Sequence, residues 1–254
     1  MKRVSIYVIV VIAVFGHASL NACLIIGHRG ASGYMPENTL SSFSYAIECG
    51  VDMVELDVWK CASGELVVFH DAKVDRLTDG TGYIEQKTLA DIKALTVLAR
   101  EKIPTLIEVL DLISHRVTVC IELKGMNVAH DVAEIIDYYI NCKGWQQEDF
   151  FVVSFNHHQL QEVTLATRSV STGALISAIP ITLGLYAQQA GADVALLDAD
   201  CINQQIVDDV HNRGMLVYVF TVNDADDIAH MIAYGVDGII SDYPDRVCQL
   251  SACS

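Results

Sequence analysis

Apolar residues in this chain gather into short runs, separated by stretches of helical character. The runs cover residues 24–27, 53–58, 118–123, 150–154, 172–176, 194–197, 216–221 and 238–241. They are rich in Val, Ile and Leu, as strands buried on both faces are. Between them, residues 39–49, 105–114, 128–140, 157–167, 204–213 and 225–234 carry apolar positions at helical spacing. Strand–helix alternation without a break in composition predicts parallel β/α units. Eight such strands close naturally into a (β/α)8 TIM-like barrel of the α/β class. Gly50, Gly214 and Gly235 fall where helices should end before the next strand.

A ninth run, residues 66–69, follows 53–58 with no room for a helix and with Ser63-Gly64 midway. It reads as a hairpin partner of the second barrel strand. A turn centred there sets Asp57 directly opposite His70, and such partners lie about 5 Å apart at Cβ. Residues 71–103 hold no clear strand. Thr78-Asp79-Gly80-Thr81-Gly82 is turn-rich, and residues 89–98 predict a short helix. Connections this long are more often functional than accidental. The segment is therefore expected to be a small insertion lying over the barrel mouth. No internal repeat or low-complexity tract divides the chain, so one barrel domain is expected over residues 23–254.

Composition narrows the function. Hydrophobic residues make up 52% and charged ones 19%, enough to bury a sizeable core. Sixteen Lys+Arg against 32 Asp+Glu leave a net charge of −16, which repels phosphate backbones and argues against a nucleic-acid partner. Phosphate chemistry here would need a local cation. The eight cysteines are scattered and form no CxxC pair, so most are expected to be free thiols; Cys248 and Cys253 are the near neighbours. Residues 1–22 begin with Lys2 and Arg3, continue with an apolar run over 4–15, and end in small residues. That reads as a signal peptide or N-terminal membrane segment. The run is shorter than the roughly 20 residues of a comfortable span. Leu20 and Ala22 before Cys23 also resemble a lipoprotein box, although Asn21 fits it poorly and the first strand leaves no tether. An exported or membrane-attached form (periplasmic or lipoprotein-like) and a cytoplasmic form with a misjudged start both fit. Oligomeric state is not legible.

In a barrel of this kind, catalytic groups come from the C-terminal ends of several strands. Those ends supply His28 and Arg29, then Glu55 and Asp57, then His70 from the hairpin, Glu122 and Lys124, and Asn223. An unpaired ionised carboxylate in an apolar strand is very costly, so these residues must serve one another or a ligand. Glu55 and Asp57 are two apart and share a face, as do Glu122 and Lys124. Three inward carboxylates repel unless a cation joins them. An all-oxygen set predicts one divalent cation, Mg²⁺ or Ca²⁺ rather than zinc. The alternative is a salt-bridge network without metal. His28 and His70 suit acid–base catalysis near neutral pH, and Arg29 and Lys124 suit phosphate oxygens. Ser154, Phe155, Asn156, Asp198, Asp242 and Tyr243 also lie at strand ends, where they either line the alcohol side of the pocket or serve rim packing and helix capping.

These residues carry a family resemblance. Ile26-Gly27-His28-Arg29-Gly30, Pro36-Glu37-Asn38-Thr39, Glu55-Leu56-Asp57-Val58 and Val68-Phe69-His70-Asp71 resemble the glycerophosphodiester phosphodiesterases of the PLC-like phosphodiesterase superfamily. Asp75-Arg76-Leu77-Thr78-Asp79-Gly80-Thr81-Gly82 is similar to that family's inserted segment. Ile103-Pro104-Thr105-Leu106, Ile121-Glu122-Leu123-Lys124, Phe220-Thr221-Val222-Asn223 and Gly238-Ile239-Ile240-Ser241-Asp242 follow in the family's order. The resemblance covers roughly residues 24–246. It implies a TIM-like barrel that hydrolyses deacylated phospholipids, small-molecule glycerophosphodiesters, to glycerol 3-phosphate and an alcohol. It implies Glu55, Asp57 and Glu122 as metal ligands, His28 and His70 as the acid–base pair, and Arg29 and Lys124 as phosphate contacts. Phe220 stands where the family usually has Trp, which keeps an apolar wall for the substrate pocket beside Asn223 but removes an indole N–H. One alternative keeps the site and takes lysolipids or sphingomyelin at a bilayer, as a lysophospholipase-D-like enzyme. Another is a non-catalytic phosphate-ligand binding barrel, which would be expected to have lost a histidine or carboxylate; none is lost.

Overall fold

The computed structural model describes residues 23–167 and 170–251. The signal or membrane-segment reading of residues 1–22, and the Cys248–Cys253 proximity, lie wholly or partly outside the described residues. Among the described residues, nine strands form in chain order: β1 (Leu24–Gly27), β2 (Met53–Lys60), β3 (Leu66–Val68), β4 (Thr118–Leu123), β5 (Phe150–Ser154), β6 (Ser171–Ile176), β7 (Val194–Asp198), β8 (Leu216–Phe220) and β9 (Gly238–Ser241). The order β1-β9-β8-β7-β6-β5-β4-β2 closes through a parallel β1–β2 pairing. The result is the eight-stranded parallel barrel expected from the apolar runs, with β3 hanging antiparallel from β2. Helices surround it: α1 (Leu40–Glu48), α2 (Leu89–Ala94), α3 (Leu106–Ile113), α4 (Ala129–Lys143), α5 (His157–Ala166), α6 (Leu185–Ala190), α7 (Gln204–Asn212), α8 (Ala225–Tyr234) and α9 (Pro244–Ser251). All seven described cysteines are free thiols.

The barrel is filled, not hollow. Ile26, Met53, Cys120, Phe151, Val153, Leu175, Val194, Leu196, Tyr218 and Ile240 pack together inside it. The space is tight enough that a Cβ on Gly173 would sit 2.3 Å from Leu196 and 2.6 Å from the Phe151 ring. Alternate residues of a strand share a face, so five of the strands carry their inward rows from an apolar floor to a polar mouth. Ile26 leads to His28, Met53 to Glu55 and Asp57, Cys120 to Glu122 and Lys124, Leu196 to Asp198, and Ile240 to Asp242.

The opposite, N-terminal end of the barrel shows a feature that the reading of no internal repeat overlooked. An eight-residue pattern occurs three times, as Gly50-Val51-Asp52 through Asp57, Gly191-Ala192-Asp193 through Asp198, and Gly235-Val236-Asp237 through Asp242. Each glycine adopts the left-handed region after a helix, with φ of 80°, 73° and 79°. Each following aspartate laces three strands together. Asp52 donates its N–H to the Ile25 carbonyl (3.0 Å), accepts the Ile25 N–H on Oδ2 (2.8 Å), and accepts the Thr118 N–H on its carbonyl (3.2 Å). Asp193 does the same between Thr172 and Leu216, and Asp237 between Val217 and Leu24. The pattern is too short to be a domain repeat. It is one solution, used three times, to the unpaired amides at the start of parallel strands.

Two local expectations need correction. The hairpin pairs Val58 with Val68, Trp59 with Val67 and Lys60 with Leu66, and Phe69 donates to the Asp57 carbonyl at 3.0 Å. Asp57 therefore faces Phe69, not His70. The turn closes through Cys61 and Glu65 (2.9 Å) with Gly64 at φ 105°, a loop of odd length that moves the register by one. The insertion does lie beside the mouth, but its helix ends at Ala94 rather than 98. Leu95 turns extended, so that Val97, buried at 1% exposure, can bridge Thr78 and Glu101. The insertion and the hairpin share a small core of Cys61, Val67, Phe69, Val74, Ile84, Ile92, Val97 and Ile103.

Candidate active site

Glu55 and Asp57 on β2 and Glu122 on β4 meet at the mouth, with one oxygen from each within 4.8 Å of the others. All three are buried, at 3%, 1% and 8% exposure. Parallel pairing puts Asp57 beside Glu122 across the two strands. The cations that sequence reasoning assigned to phosphate are here too. The Lys124 ammonium lies 2.6 Å from Glu122 Oε1 and 3.3 Å from Asp57 Oδ1. Arg29 Nε is 3.6 Å from Asp57 Oδ2, and the Arg29 backbone N–H donates to Glu55 Oε2 at 2.8 Å. That last bond is possible because Arg29 turns left-handed (φ 52°), directing its amide back over β2.

The salt-bridge alternative is thus partly real, yet it falls one charge short: two cations face three carboxylates. Glu55 Oε1 is buried with no hydrogen-bond partner. Burial, with the charges of Asp57 and Glu122, holds the Glu55 carboxyl well above the usual range. Burial and Asp57 push Glu122 up to about 7 despite the pull of Lys124. Asp57 goes the other way: burial opposes its charge, but Lys124 and Arg29 prevail and hold it low. A buried, oxygen-only trio with an orphaned acceptor and unrelieved repulsion fits a divalent cation.

The two histidines arrive by different routes and end in the same arrangement. His28 follows β1, and its Nδ1 lies 2.6 Å from Asp242 Oδ1, just beyond β9. Asp242 also accepts from the Ser32 hydroxyl (2.6 Å) and from Asn223 Nδ2 (2.7 Å). These partners hold its carboxyl far below the usual range against the effect of burial. His70 follows β3, with Nδ1 2.7 Å from Asp71 Oδ1. Arg76, with help from His70, lowers the Asp71 carboxyl to about 2. Burial lowers the His70 imidazole, Asp57 partly offsets this, and Lys124 and Arg29 add to the lowering. In each ring a carboxylate occupies Nδ1 and leaves Nε2 for other work.

The remaining assigned residues divide. Phe220 packs edge-on against Phe155, with centroids 5.9 Å apart, and the Lys124 ammonium sits 5.8 Å from the Phe155 ring, so the two phenyl rings form an apolar wall of the mouth. Asn223, at the mouth beyond β8, is held by its neighbours. Its Nδ2 goes to Asp242, and its Oδ1 accepts from the Asp242 N–H (2.9 Å) and the Ser241 hydroxyl (3.1 Å). Ser154, Asn156 and Asp198 take up the capping and rim roles, bonding Leu123 O, His158 N and Asp200 N respectively. Tyr243 is rim packing, under Arg246 at 3.9 Å and edge-on to Tyr34.

Sequence reasoning gave no role to Glu37, Asn38 or Arg76. Asn38, 2% exposed and left-handed at φ 57°, donates to Asp57 Oδ2 at 2.7 Å. Glu37 Oε1 accepts from Arg29 Nη1 at 2.7 Å. Both precede the α1 cap residue Thr39, away from the strand ends that supply the other site residues.

Residues 28–246 match the model of the glycerophosphoryl diester phosphodiesterase family. The chain is 34% identical over 239 residues to a glycerophosphodiester phosphodiesterase of Caldanaerobacter subterraneus subsp. tengcongensis, covering 89% of this chain and 97% of that one. It is 30% identical over 251 residues to a glycerophosphodiester phosphodiesterase of Bacillus subtilis, covering 87% and 84%. A phosphodiesterase of Oleispira antarctica, solved in complex with the product sn-glycerol-3-phosphate, superposes with a TM-score of 0.83 at 30% identity, over 92% of this chain and 98% of that one. The chain belongs to the glycerophosphoryl diester phosphodiesterase family.

Proposed function

We propose that this family member hydrolyses glycerophosphodiesters to glycerol 3-phosphate and a free alcohol, with His28 and His70 moving the protons beside a divalent cation held by Glu55, Asp57 and Glu122. The observation that carries this reading is the convergence of that buried, under-neutralised trio with two imidazoles, each oriented by a carboxylate on Nδ1. When bound, the cation supplies charge neutralisation and polarisation of the phosphodiester, and the hard oxygen set favours Mg²⁺ or Ca²⁺. Arg29 and Lys124 stand at the rim of the trio, where they can stabilise the non-bridging phosphate oxygens as charge builds.

One histidine accepts the proton of the attacking hydroxyl as the new O–P bond forms. The other donates its proton to the departing alcohol oxygen as the old O–P bond breaks. If the attacker is the substrate's own glycerol hydroxyl, a cyclic phosphate results, and water opens it with the two proton roles reversed. If the attacker is water, one displacement suffices. Phe155 and Phe220 offer the uncharged end of the substrate an apolar wall.

Turnover of a panel of glycerophosphodiesters, run with EDTA and then with added Mg²⁺ or Ca²⁺, tests the proposal. Activity abolished by chelation and restored by one of these ions is expected; chelator-insensitive hydrolysis would exclude the metal role of the trio. A second reading draws on Met126, Phe155, Ile179 and Ile181, which are 68%, 47%, 56% and 101% exposed on the loops after β4, β5 and β6. Such a rim suits a lysolipid substrate. Faster turnover of lysophosphatidylcholine than of glycerophosphocholine would support that substrate class instead.

A further inference from the structure

Arg76 is delivered by the insertion, on the short turn Val74–Arg76. That turn is anchored: Val74 is fully buried, its N–H reaches the Gly82 carbonyl at 3.0 Å, and Asp75 Oδ2 accepts the Gly82 N–H at 2.7 Å. From this base the guanidinium grips two carboxylates at once. Nε and Nη2 donate to Asp71 Oδ2 and Oδ1 at 2.6 and 3.1 Å. Nη1 and Nη2 donate to Glu37 Oε2 and Oε1 at 3.0 and 2.7 Å. Asp71 orients His70, and Glu37 binds Arg29. Hydrogen bonds therefore run from His70 through Asp71, Arg76 and Glu37 to Arg29, whose Nε lies 3.6 Å from Asp57 Oδ2 of the acidic trio.

From this geometry we infer that Arg76 is a positioning residue, a double clamp that holds the His70 imidazole and the Arg29 guanidinium in one fixed relation, so that the insertion forms part of the working site. The inference rests on the catalytic reading of His70 and Arg29 given above. Two bidentate grips from one planar fork fix the relative orientation of both carboxylates, which no single lysine ammonium can do. Arg76 itself is 46% exposed at its side chain, and exposed ion pairs add little to stability. An effect on the rate with little effect on folding is thus the signature of a clamp. Without Arg76, Asp71 and Glu37 become free to turn. The His70 ring loses its fixed tautomer and tilt, and Arg29 follows Glu37.

The test uses the full chain and glycerophosphocholine. Arg76→Ala should lower kcat about 10- to 100-fold, the scale on which removal of an orienting partner acts, with KM changed less than about threefold and the melting temperature nearly unchanged. Arg76→Lys should recover only a minor part of kcat, and added methylguanidinium should rescue Arg76→Ala in a concentration-dependent way. In an Asp71→Asn background, Arg76→Ala should cost clearly less than it does alone, because the clamp's grip on His70 is already broken. An unimpaired kcat in Arg76→Ala, or a loss that tracks a fall in melting temperature and resists rescue, would overturn the clamp. His70→Ala is assayed alongside. If it is as active as the wild type, the catalytic reading itself fails and takes the clamp with it; if it is slow beside an unimpaired Arg76→Ala, the clamp alone is overturned.

Discussion

The two ends of the barrel use the same residue type in the same eight-residue segments for opposite purposes. At the floor, Asp52, Asp193 and Asp237 bind backbone amides and lace neighbouring strands. Five residues further along, Asp57, Asp198 and Asp242 emerge at the mouth. There Asp57 joins the acidic trio, Asp242 holds His28, and Asp198 caps its own turn. The segments are alike, so the pattern does not decide the role; what faces each carboxylate does. Asp57 meets Arg29 and Lys124, Asp242 meets an imidazole, and Asp198 follows the phenylalanine-lined side of the mouth, where β7 pairs with β8 at Phe220. A floor aspartate should matter to stability, and a mouth aspartate to chemistry in proportion to its partners.

The largest break in that comparison should come from Asp57→Asn. It removes one carboxylate of the proposed metal trio and leaves Arg29 and Lys124 facing a diminished charge. Loss of several kcal/mol of transition-state stabilisation is expected, about 10³-fold in kcat/KM. A loss below about tenfold would remove Asp57 from the metal site. Asp242→Asn should come next, at about 10²-fold in kcat, because the amide can hold His28 in the wrong tautomer. Asp71→Asn should cost less, about tenfold, since the His70 side chain is more open to water than that of His28, 31% against 17% exposed, so that water can take over part of the lost bond. Steady-state kinetics on the three variants gives the ranking; a reversed order of Asp242 and Asp71 would show that the barrel-borne dyad is not the more demanding one.

A third prediction concerns pH in protein stripped of divalent ions. Glu122 is raised to about 7 and Glu55 is raised as well, both chiefly by burial. Between the unfolded carboxylate value, about 4.3, and the folded one, the native state binds more protons than the unfolded state. The contribution of Glu122 to stability must therefore fall as pH rises through this window and be lost above about 7, with Glu55 acting in the same direction and the lowered His70 imidazole acting against them. Urea unfolding of EDTA-treated protein between pH 5 and 8 should show the decline. Glu122→Gln should flatten it, and added Mg²⁺ or Ca²⁺ should stabilise more at pH 8 than at pH 5. A pH dependence that Glu122→Gln leaves unchanged would contradict the charge imbalance at the site.

The barrel and the trio were legible from sequence because both follow from local rules. Runs such as residues 118–123 and 150–154 are apolar on both faces, and the two-residue spacing of Glu55 and Asp57 puts them on one side of β2. The hairpin register was not legible, because Ser63-Gly64 does not reveal that the turn spans an odd number of residues. The His28–Asp242 dyad joins positions 214 apart and exists only once β1 closes against β9. Asn223 was read as a pocket residue because it lies just beyond a strand end; its bonds with Asp242 and Ser241 depend on the β8–β9 neighbourhood and were not visible in the spacing. The Gly-x-Asp pattern was open to view as spacing, but its meaning rests on which strand lies on each side.

The smallest effect sharpens the comparison most, because it asks whether a floor aspartate is silent in catalysis. Asp193 lies in the segment whose mouth residue, Asp198, serves its own turn. Asp193→Ala deletes the carboxylate that accepts the Thr172 N–H at 2.9 Å, while both backbone bonds of residue 193, to Thr172 and Leu216, can remain. One net hydrogen bond contributes about 1 kcal/mol. In a chain of this size that corresponds to roughly 2–4 °C in melting temperature. Calorimetry should register that shift while kcat and KM stay within about twofold of wild type. Asp52→Ala, in the segment that ends in Asp57, should behave the same way if the lacing only fastens strand ends. A kcat loss confined to Asp52→Ala would mean that the floor of β2 sets the height of Glu55 and Asp57 at the mouth, and the two ends would then be coupled along that strand.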